Sequence, residues 1–332
     1  MVIVPVANLY TTPETTLNNN IVHQCLFNER VDIIKKQNNA TYIHINSAFY
    51  VTPSDNRPQN CFWVTQEDLL ELKALESEYQ KIIPLDDSKK TIITIKPWSP
   101  DQKVAFSAGT RFVIDTHAQK KRGHIAIIYL DPNAHSIKTA YIPKKQCISS
   151  KWIITLSSCQ KRALFIKTLK QWAHQKTNEY IPYLFGGTSF VQTLEYPFEK
   201  KSILTGIDCS GLVLRIANIA GITEYRYKNS TTIKKYCPQI SSFNALQNGD
   251  LILIRGHVMI ISDLQKGLII EARGYDHGFG RVHEIPLCKV FKNIHSFKDL
   301  WDAASLKKRI IRLDHLQKER DSFTDLTFHT LC

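Results

Sequence analysis

One cysteine, Cys209, stands where a thiol could act as a nucleophile. It follows Asp208, a good N-cap residue, and it precedes an apolar pattern that predicts the buried face of a helix. A sulfur in the first helical turn lies near the positive end of the helix dipole and near unpaired backbone N–H groups, and both favour the thiolate. The stretch from Asp208 to Gly211 therefore predicts nucleophilic chemistry, provided that a base serves the thiol.

A candidate base follows in a pattern of three short strands. A turn signal at 248–250 precedes an apolar strand at 251–254, and His257 then opens a second apolar run. Glu271 ends the third run, where its carboxylate could accept a hydrogen bond from the imidazole. A helix start packed on such a meander can bring a thiol to an imidazole, and the carboxylate would orient that ring.

Each of these residues also has an ordinary interpretation. Cysteine is a common apolar filler of protein cores. A histidine at a strand start is often structural, and a glutamate after an apolar run is often a solvated strand end. The order of the three along a helix, a strand and the next strand favours an activated-thiol site.

Four segments together resemble a known family. They are 181–188, 208–213, 248–251 and 256–260, and they resemble the NlpC family of bacterial cell-wall cysteine peptidases, which are papain-like enzymes. The resemblance covers roughly residues 155 to 290. It implies an α+β papain-like domain in which a helix-borne cysteine packs on an antiparallel sheet.

The resemblance also implies an activity and its residues. The implied reaction cuts peptidoglycan stem peptides between the γ-carboxyl of D-glutamate and a diamino acid, such as meso-diaminopimelate or lysine. Cys209 would be the nucleophile, His257 the base and Tyr183 a helper at the oxyanion. The family usually has His, Asn or Gln at the third position, whereas this chain has Glu271, which can hold the imidazole tautomer and would favour the imidazolium. No cofactor and no metal are implied.

Residues on both sides of the nucleophile are the candidates for substrate binding: Asp208, Ser210, Asn229 and Ser230. In the murein-peptide-recycling branch of the family, an Asp-Ser pair binds the free α-amine of L-alanine. Asn229 stands where that aspartate is expected, and an amide supplies no net charge, so the requirement for a free N-terminus stays open. A polar loop without ligand contact is the alternative. The long stretch 188–206 would be either a wall of the cleft or a surface insertion.

The segment before the candidate peptidase domain has an all-β pattern. Short strands with frequent turns predict two small barrels that resemble bacterial SH3-like domains. We expect a first barrel with a linker helix at 1–80, a second barrel at 85–150 and the peptidase domain at 155–332. This order resembles the recycling γ-D-glutamyl-L-diamino acid endopeptidases, whose first barrel lines the cleft and favours free muropeptides over intact wall.

Composition narrows the remaining classes of function. The chain has 332 residues, of which 43% are hydrophobic, and only 13 are glycine and 13 proline, as in an ordered globular protein. Its net charge of +13 comes from dispersed basic pairs without a nucleic-acid-binding pattern, and it would attract peptides that carry carboxylates. The eight cysteines form no Cys-x-x-Cys pair, which argues against a metal site. We expect no membrane span and, without a signal-peptide pattern, a cytoplasmic protein, with export by a non-standard route as the open alternative.

The sequence leaves three functions open. The first is a cysteine peptidase acting on stem peptides or muropeptides. The second is a non-catalytic protein that binds cell wall or a host through its SH3-like barrels, with a vestigial site. The third is an amidase or acyltransferase, because a thiol and an imidazole fix thioester chemistry but not the acceptor. The oligomeric state is not predicted.

Overall fold

The computed structural model describes residues 1–14, 21–51, 58–71, 90–101, 104–131, 136–175, 180–190, 205–276 and 278–331. The chain divides into two compact units, and each unit is made of separate chain segments. The first contains residues 1–47, 60–158 and 186–206, and the second contains residues 48–59, 159–185 and 207–332. Most of the predicted linker helix and of the 188–206 stretch lies outside the described residues.

The strands and α-helices are numbered in chain order. The strands are β1 (Val6–Tyr10), β2 (Ile21–Leu26), β3 (Asp32–Gln37), β4 (Ala40–His44), β5 (Tyr50–Val51), β6 (Pro58–Gln59), β7 (Cys61–Thr65), β8 (Thr91–Thr94), β9 (Arg111–Ile114), β10 (His124–Leu130), β11 (Ile137–Pro143), β12 (Cys147–Ser149), β13 (Thr188–Ser189), β14 (Gly206–Ile207), β15 (Leu251–Ile254), β16 (His257–Asp263), β17 (Leu268–Arg273), β18 (Arg281–Pro286), β19 (Ile310–Leu313), β20 (Glu319–Phe323) and β21 (Thr327–His329). The helices are α1 (Ser150–Ile154), α2 (Ser158–Ala173), α3 (Cys209–Ala220), α4 (Ser230–Tyr236) and α5 (Phe297–Ser305).

The first unit contains two antiparallel five-stranded sheets. Their strand orders are β2-β1-β7-β4-β3 and β11-β10-β9-β8-β12. In each sheet a late strand returns to pair with the first, since β7 pairs with β1 and β12 with β8. The predicted β-sheets are present in the described part of residues 1–150, and their assignment to SH3-like barrels stays a prediction. Strand β3 is exposed along its whole length and carries Lys35 and Lys36, a charged edge that discourages pairing with other chains.

The turn at Gly186 and Gly187 has a steric requirement for glycine at Gly186. This residue has a positive φ of 76°, and a Cβ added there would lie 1.9 Å from the Ile21 carbonyl oxygen. Only glycine tolerates both the conformation and the approach. Beyond the turn, the backbone N–H groups of Thr188 and Ser189 donate to the Gln24 side-chain oxygen, at 2.9 and 3.1 Å.

The second unit is built on a sheet of order β18-β17-β16-β15-β21. Strands β15, β16 and β17 form the predicted antiparallel meander, β18 continues it as a fourth strand, and β21 pairs with the free edge of β15. Helix α3 packs against β16 and β17. Helix α2 buries Phe165, Thr168, Leu169 and Trp172 along one face. The second unit therefore has the predicted α+β character, with a helix on an antiparallel sheet.

No described helix has both the length and the apolar composition that a membrane crossing requires. Within the same described ranges, no group of three or more His, Cys, Asp or Glu side chains is placed to hold a metal ion.

Candidate active site

Cys209 is the first residue of α3, as the capping pattern predicts. Asp208 has extended backbone angles and accepts a hydrogen bond from the Gly211 N–H at 2.6 Å, so it is the N-cap. The helix ends at Gly221, whose φ of 72° suits the left-handed C-cap position. All six apolar residues that predicted the inner face of this helix are buried: Leu212, Val213, Ile216, Ala217, Ile219 and Ala220. Packing on the sheet thus fixes where the sulfur lies.

His257 and Glu271 lie on the same face of two neighbouring strands. Ile260 is paired with Ile270 across β16 and β17. His257 is three residues before Ile260, and Glu271 is one residue after Ile270. Because side chains alternate between the two faces of a strand, His257 and Glu271 share the face opposite to that of Ile260 and Ile270. The imidazole Nε2 and the carboxylate Oε2 are 2.7 Å apart, which confirms the predicted contact. With Nε2 bonded to the carboxylate, Nδ1 is the ring nitrogen left to accept a proton.

The thiol lies at the start of the strand that carries the histidine. The backbone N–H groups of Val258 and Ser210 donate to the sulfur of Cys209. Because Val258 directly follows His257, these bonds place the sulfur at the same end of β16 as the imidazole. The structure therefore brings together the three residues that the sequence selected as nucleophile, base and orienting acceptor.

Burial of Cys209 and His257 acts against the predicted thiolate. Burial raises the pKa of the Cys209 thiol to about 12, and the neighbouring Asp208 carboxylate adds to the rise. Burial likewise lowers the pKa of the His257 imidazole to about 4, with Arg312 acting in the same direction and Glu271 opposing it. The start of the helix was expected to favour a thiolate. Loss of solvent opposes this, because it disfavours a lone thiolate at Cys209 and a lone imidazolium at His257. Burial therefore favours a neutral thiol and a neutral imidazole in the resting pair.

Glu271 is held as a buried carboxylate by a second, cationic partner. The Arg312 guanidinium donates to Oε2, and the His283 Nε2 lies 3.5 Å from Oε1. Burial acts to raise the pKa of Glu271, but the attraction of Arg312 and the hydrogen bond from His257 hold it well below its usual range. The third position is therefore an ionised acceptor for the imidazole.

Tyr183 lies beside the nucleophile. Its backbone N–H donates to the Gly280 carbonyl at 2.8 Å, and its ring carbons would lie 3.4 Å from a Cβ added at Gly274. Burial raises the pKa of its hydroxyl above the ordinary value, and the charges of Cys209 and Asp208 raise it further. The hydroxyl therefore stays protonated and can donate a hydrogen bond.

Asp208 and Ser210 belong to a buried polar cluster with Lys228. The Ser210 hydroxyl donates to Asp208 at 2.9 Å, and the Lys228 ammonium donates to the other carboxylate oxygen. The ammonium also lies 3.3 Å from the Ser210 oxygen. These contacts hold the cap of α3 in place. A role of Asp208 and Ser210 in substrate binding stays a prediction.

Replacing Lys228 with methionine is expected to reduce the free energy of unfolding by about 3–5 kcal/mol, because the buried Asp208 carboxylate loses its cation. Denaturant unfolding measures the loss. The control is Lys266→Met, since this lysine lies 3.8 Å from Asp263 with its side chain 75% exposed, and such pairs contribute about 1 kcal/mol at most. Equal, small losses in the two variants would contradict a structural role for the Lys228 pair.

Asn229 and Ser230 begin α4. The Asn229 side-chain oxygen accepts from the Thr232 N–H at 2.8 Å, and its amide donates to the Val51 carbonyl at 3.1 Å, so the side chain caps the helix. Its contact with a substrate amine stays a prediction. Ser230 lines a groove of about 370 Å³ that reaches Gly256, next to His257. The charged residues of that groove are Lys234, Lys235, Arg255 and Asp325.

Three residues of the site are missing from the sequence prediction: Lys228, His283 and Arg312. Lys228 lies in a polar stretch typical of an exposed loop, and Arg312 alternates with apolar residues as an outward-facing strand residue would. Their partners lie far away along the chain, so no local pattern marks them.

The segment that contains most of the site matches a known protein family. An NlpC/P60 domain spans residues 180–284. The NlpC/P60 domain contains Tyr183, Cys209, His257 and Glu271, whereas Arg312 lies beyond the matched segment. A search of curated proteins finds no match to the chain.

Solved structures support the same fold. A crystal structure of an NlpC/P60 family protein from Bacillus cereus ATCC 10987 matches with a TM-score of 0.61 and 18% identity, over 90% of this chain and 95% of that one. NlpC2 from Trichomonas vaginalis has a TM-score of 0.33 and 17% identity, over 86% of this chain and 92% of its own. NlpC1 from the same organism has a TM-score of 0.35 and 15% identity, over 87% of each chain. The Bacillus protein shows that the NlpC/P60 fold is shared, and the other two likenesses are too weak to add to this.

Proposed function

We propose that this protein is a cysteine peptidase that hydrolyses the bond between the γ-carboxyl of D-glutamate and a diamino acid in peptidoglycan stem peptides. The NlpC/P60 family generally holds cell-wall peptidases. The observation that carries the proposal is the 2.7 Å contact between His257 and Glu271 at the strand end where the Cys209 sulfur is bound. A thiol, a base and an acceptor that orients the base are what acyl transfer through a thioester requires.

The first half of the reaction forms the thioester. The Cys209 sulfur attacks the γ-carbonyl carbon while its proton passes to Nδ1 of His257. The imidazolium and the oxyanion therefore form in the same step, so neither buried charge arises alone. The carbonyl π electrons move to oxygen, where backbone N–H groups at the helix start and the Tyr183 hydroxyl donate hydrogen bonds. The oxyanion then collapses, the C–N bond breaks, and His257 gives its proton to the leaving amine of the diamino acid.

The second half restores the thiol. Water attacks the thioester carbonyl as His257 takes one of its protons, and the C–S bond breaks when that proton returns to the sulfur. The products are the shortened peptide with a free γ-carboxylate and the diamino acid with a free amine. Glu271 stays ionised throughout and stabilises the transient imidazolium.

Two features favour substrates that carry several carboxylates. The net charge of +13 attracts anionic peptides from a distance. Close to His257, the groove beside Ser230 contains Lys234, Lys235 and Arg255 against a single acidic residue, Asp325. We propose free muropeptides as the substrates.

Product analysis by mass spectrometry tests the proposal. L-Ala-γ-D-Glu-meso-diaminopimelate is expected to yield L-Ala-D-Glu and free meso-diaminopimelate, and the Lys-containing analogue tests the choice of diamino acid. Release of the peptide from a muramyl group would instead indicate an amidase, and a product joined to an added amine would indicate an acyltransferase. No turnover of any of these substrates would favour the non-catalytic alternative.

A matched pair of substrates tests the role of Asn229. If the free α-amine of L-alanine is required, N-acetylation of the same tripeptide abolishes release of the diamino acid. Because the Asn229 amide caps α4 and brings no charge, we expect the acetylated peptide to be cleaved as well. Strict dependence on the free amine would contradict this expectation.

A further inference from the structure

We infer that Arg312 is a positioning residue for the reaction, which fixes the Glu271 carboxylate in place and balances its charge so that His257 remains a neutral base. The inference rests on the proposed function for its role in catalysis. Its structural basis, a buried chain of contacts from Arg312 through Glu271 to His257, lies within the second unit.

Both partners of Glu271 use the same oxygen. The Arg312 Nη2 and the His257 Nε2 both contact Oε2, the latter at 2.7 Å, while Oε1 faces His283. The side chains of Arg312 and Glu271 are only 4% and 3% exposed, so solvent does not screen their attraction. The guanidinium thus restricts the carboxylate to one orientation, and that orientation aims Oε2 at the imidazole.

Arg312 is placed to serve this carboxylate. Its Nε is buried and has no hydrogen-bond partner among the described residues, so the contact with Glu271 is what compensates the buried cation. On the adjacent residue of β19, the Leu313 carbonyl accepts a hydrogen bond from Arg273 at 3.0 Å. Two side-chain contacts to β17 therefore fix this part of β19 against the strand that carries Glu271.

The charges around the imidazole explain the expected effect. The charges that act on His257 are those of the anionic Glu271 and of the cationic Arg312 and Arg273, and the Cys209 sulfur lies at the same end of β16. After burial itself, Arg312 is the main influence that keeps the pKa of His257 low, and Glu271 is the main influence that raises it. Removing one partner of this pair should therefore shift the titration of His257 in one direction, and removing the other should shift it in the opposite direction.

The experiment measures the titration of His257 directly, by NMR of 13C-labelled histidine side chains with the His257 signal assigned from a His257→Gln spectrum. Arg312→Met is expected to raise the midpoint by about one pH unit or more, because the unpaired Glu271 carboxylate favours the imidazolium. Glu271→Gln is expected to lower it. Glu271→Gln/Arg312→Met removes both charges and is expected to return the midpoint towards that of the unchanged protein.

Controls separate a positioning role from a structural one. Glu319→Gln removes an exposed contact with Lys292 from the same hairpin, and it should leave the midpoint unchanged. Arg312→Lys keeps the test usable if Arg312→Met does not fold, because it retains a buried cation but loses the guanidinium contact with Oε2, and its midpoint should be raised by a smaller amount. Unchanged midpoints in all folded variants would overturn the inference. Because no peptide is used, that result is distinguishable from failure of the proposed peptidase activity.

Discussion

Replacing Cys209 with alanine is expected to abolish release of the diamino acid from stem peptides, with a loss of about 10⁴-fold or more in kcat. Without the sulfur no thioester forms, and His257 and Tyr183 have no covalent intermediate to act on. The thiol is half-buried at the start of α3, so alanine fills nearly the same space. Mass spectrometry of the products measures the loss, and thermal unfolding checks that the variant is folded.

The matched control is Cys159→Ala, which removes an exposed thiol near the start of α2 and should leave turnover unchanged. Cys209→Ser keeps a hydrogen-bonding group but replaces the thiol by a weaker nucleophile. It therefore tests the need for a strong nucleophile separately from the need for a hydrogen-bonding group. Substantial turnover by Cys209→Ala would refute the proposed mechanism.

Turnover is expected to be level from about pH 5 to about pH 9 and to fall about tenfold per unit at lower pH, because the active base is the neutral imidazole. Burial lowers the pKa of His257 to about 4, so protonation removes the base only below that value. The raised pKa of Cys209, about 12, places ionisation of the thiol above the whole range. The acid limb therefore lies well below the ordinary titration range of histidine.

The quantities to measure are kcat/KM, which reports ionisations of the free enzyme, and kcat at saturating substrate, which is not affected by ionisation of the free peptide's carboxylates. A protein unfolded by acid would give the same decline, so circular dichroism at each pH is the necessary companion measurement. A bell-shaped profile with a basic limb between about pH 7 and about pH 9 would contradict the neutral pair, because that limb reports loss of an imidazolium.

The parts of the site that the sequence predicts are those encoded by local patterns. Asp208 is a capping residue in front of an apolar helical face, and the apolar runs around His257 and Glu271 are short strands separated by turn residues. Such signals are complete within a few residues, so the helix, the meander and the order of the three side chains all follow from them.

The parts that the sequence does not predict depend on distant segments. Lys228 meets Asp208 only after α3 has folded back, and Arg312 meets Glu271 only because β19 lies beside β17. The charge state of the nucleophile has the same origin. The dipole at the start of α3 is visible in the sequence, whereas the burial that outweighs it is a property of the assembled unit. Likewise, no local pattern indicates that residues 48–59 belong to the second unit.

The late position of β21 has a consequence for the order in which the molecule matures during synthesis. Strand β15 gains its second neighbour only from residues 327–329, and Glu271 gains its cation only from residue 312. A nascent chain that already carries Cys209, His257 and Glu271 therefore has an open sheet edge at β15 and an uncompensated carboxylate two strands away on β17. Pairing of β21 covers that edge, and Arg312 completes the charge balance around Glu271.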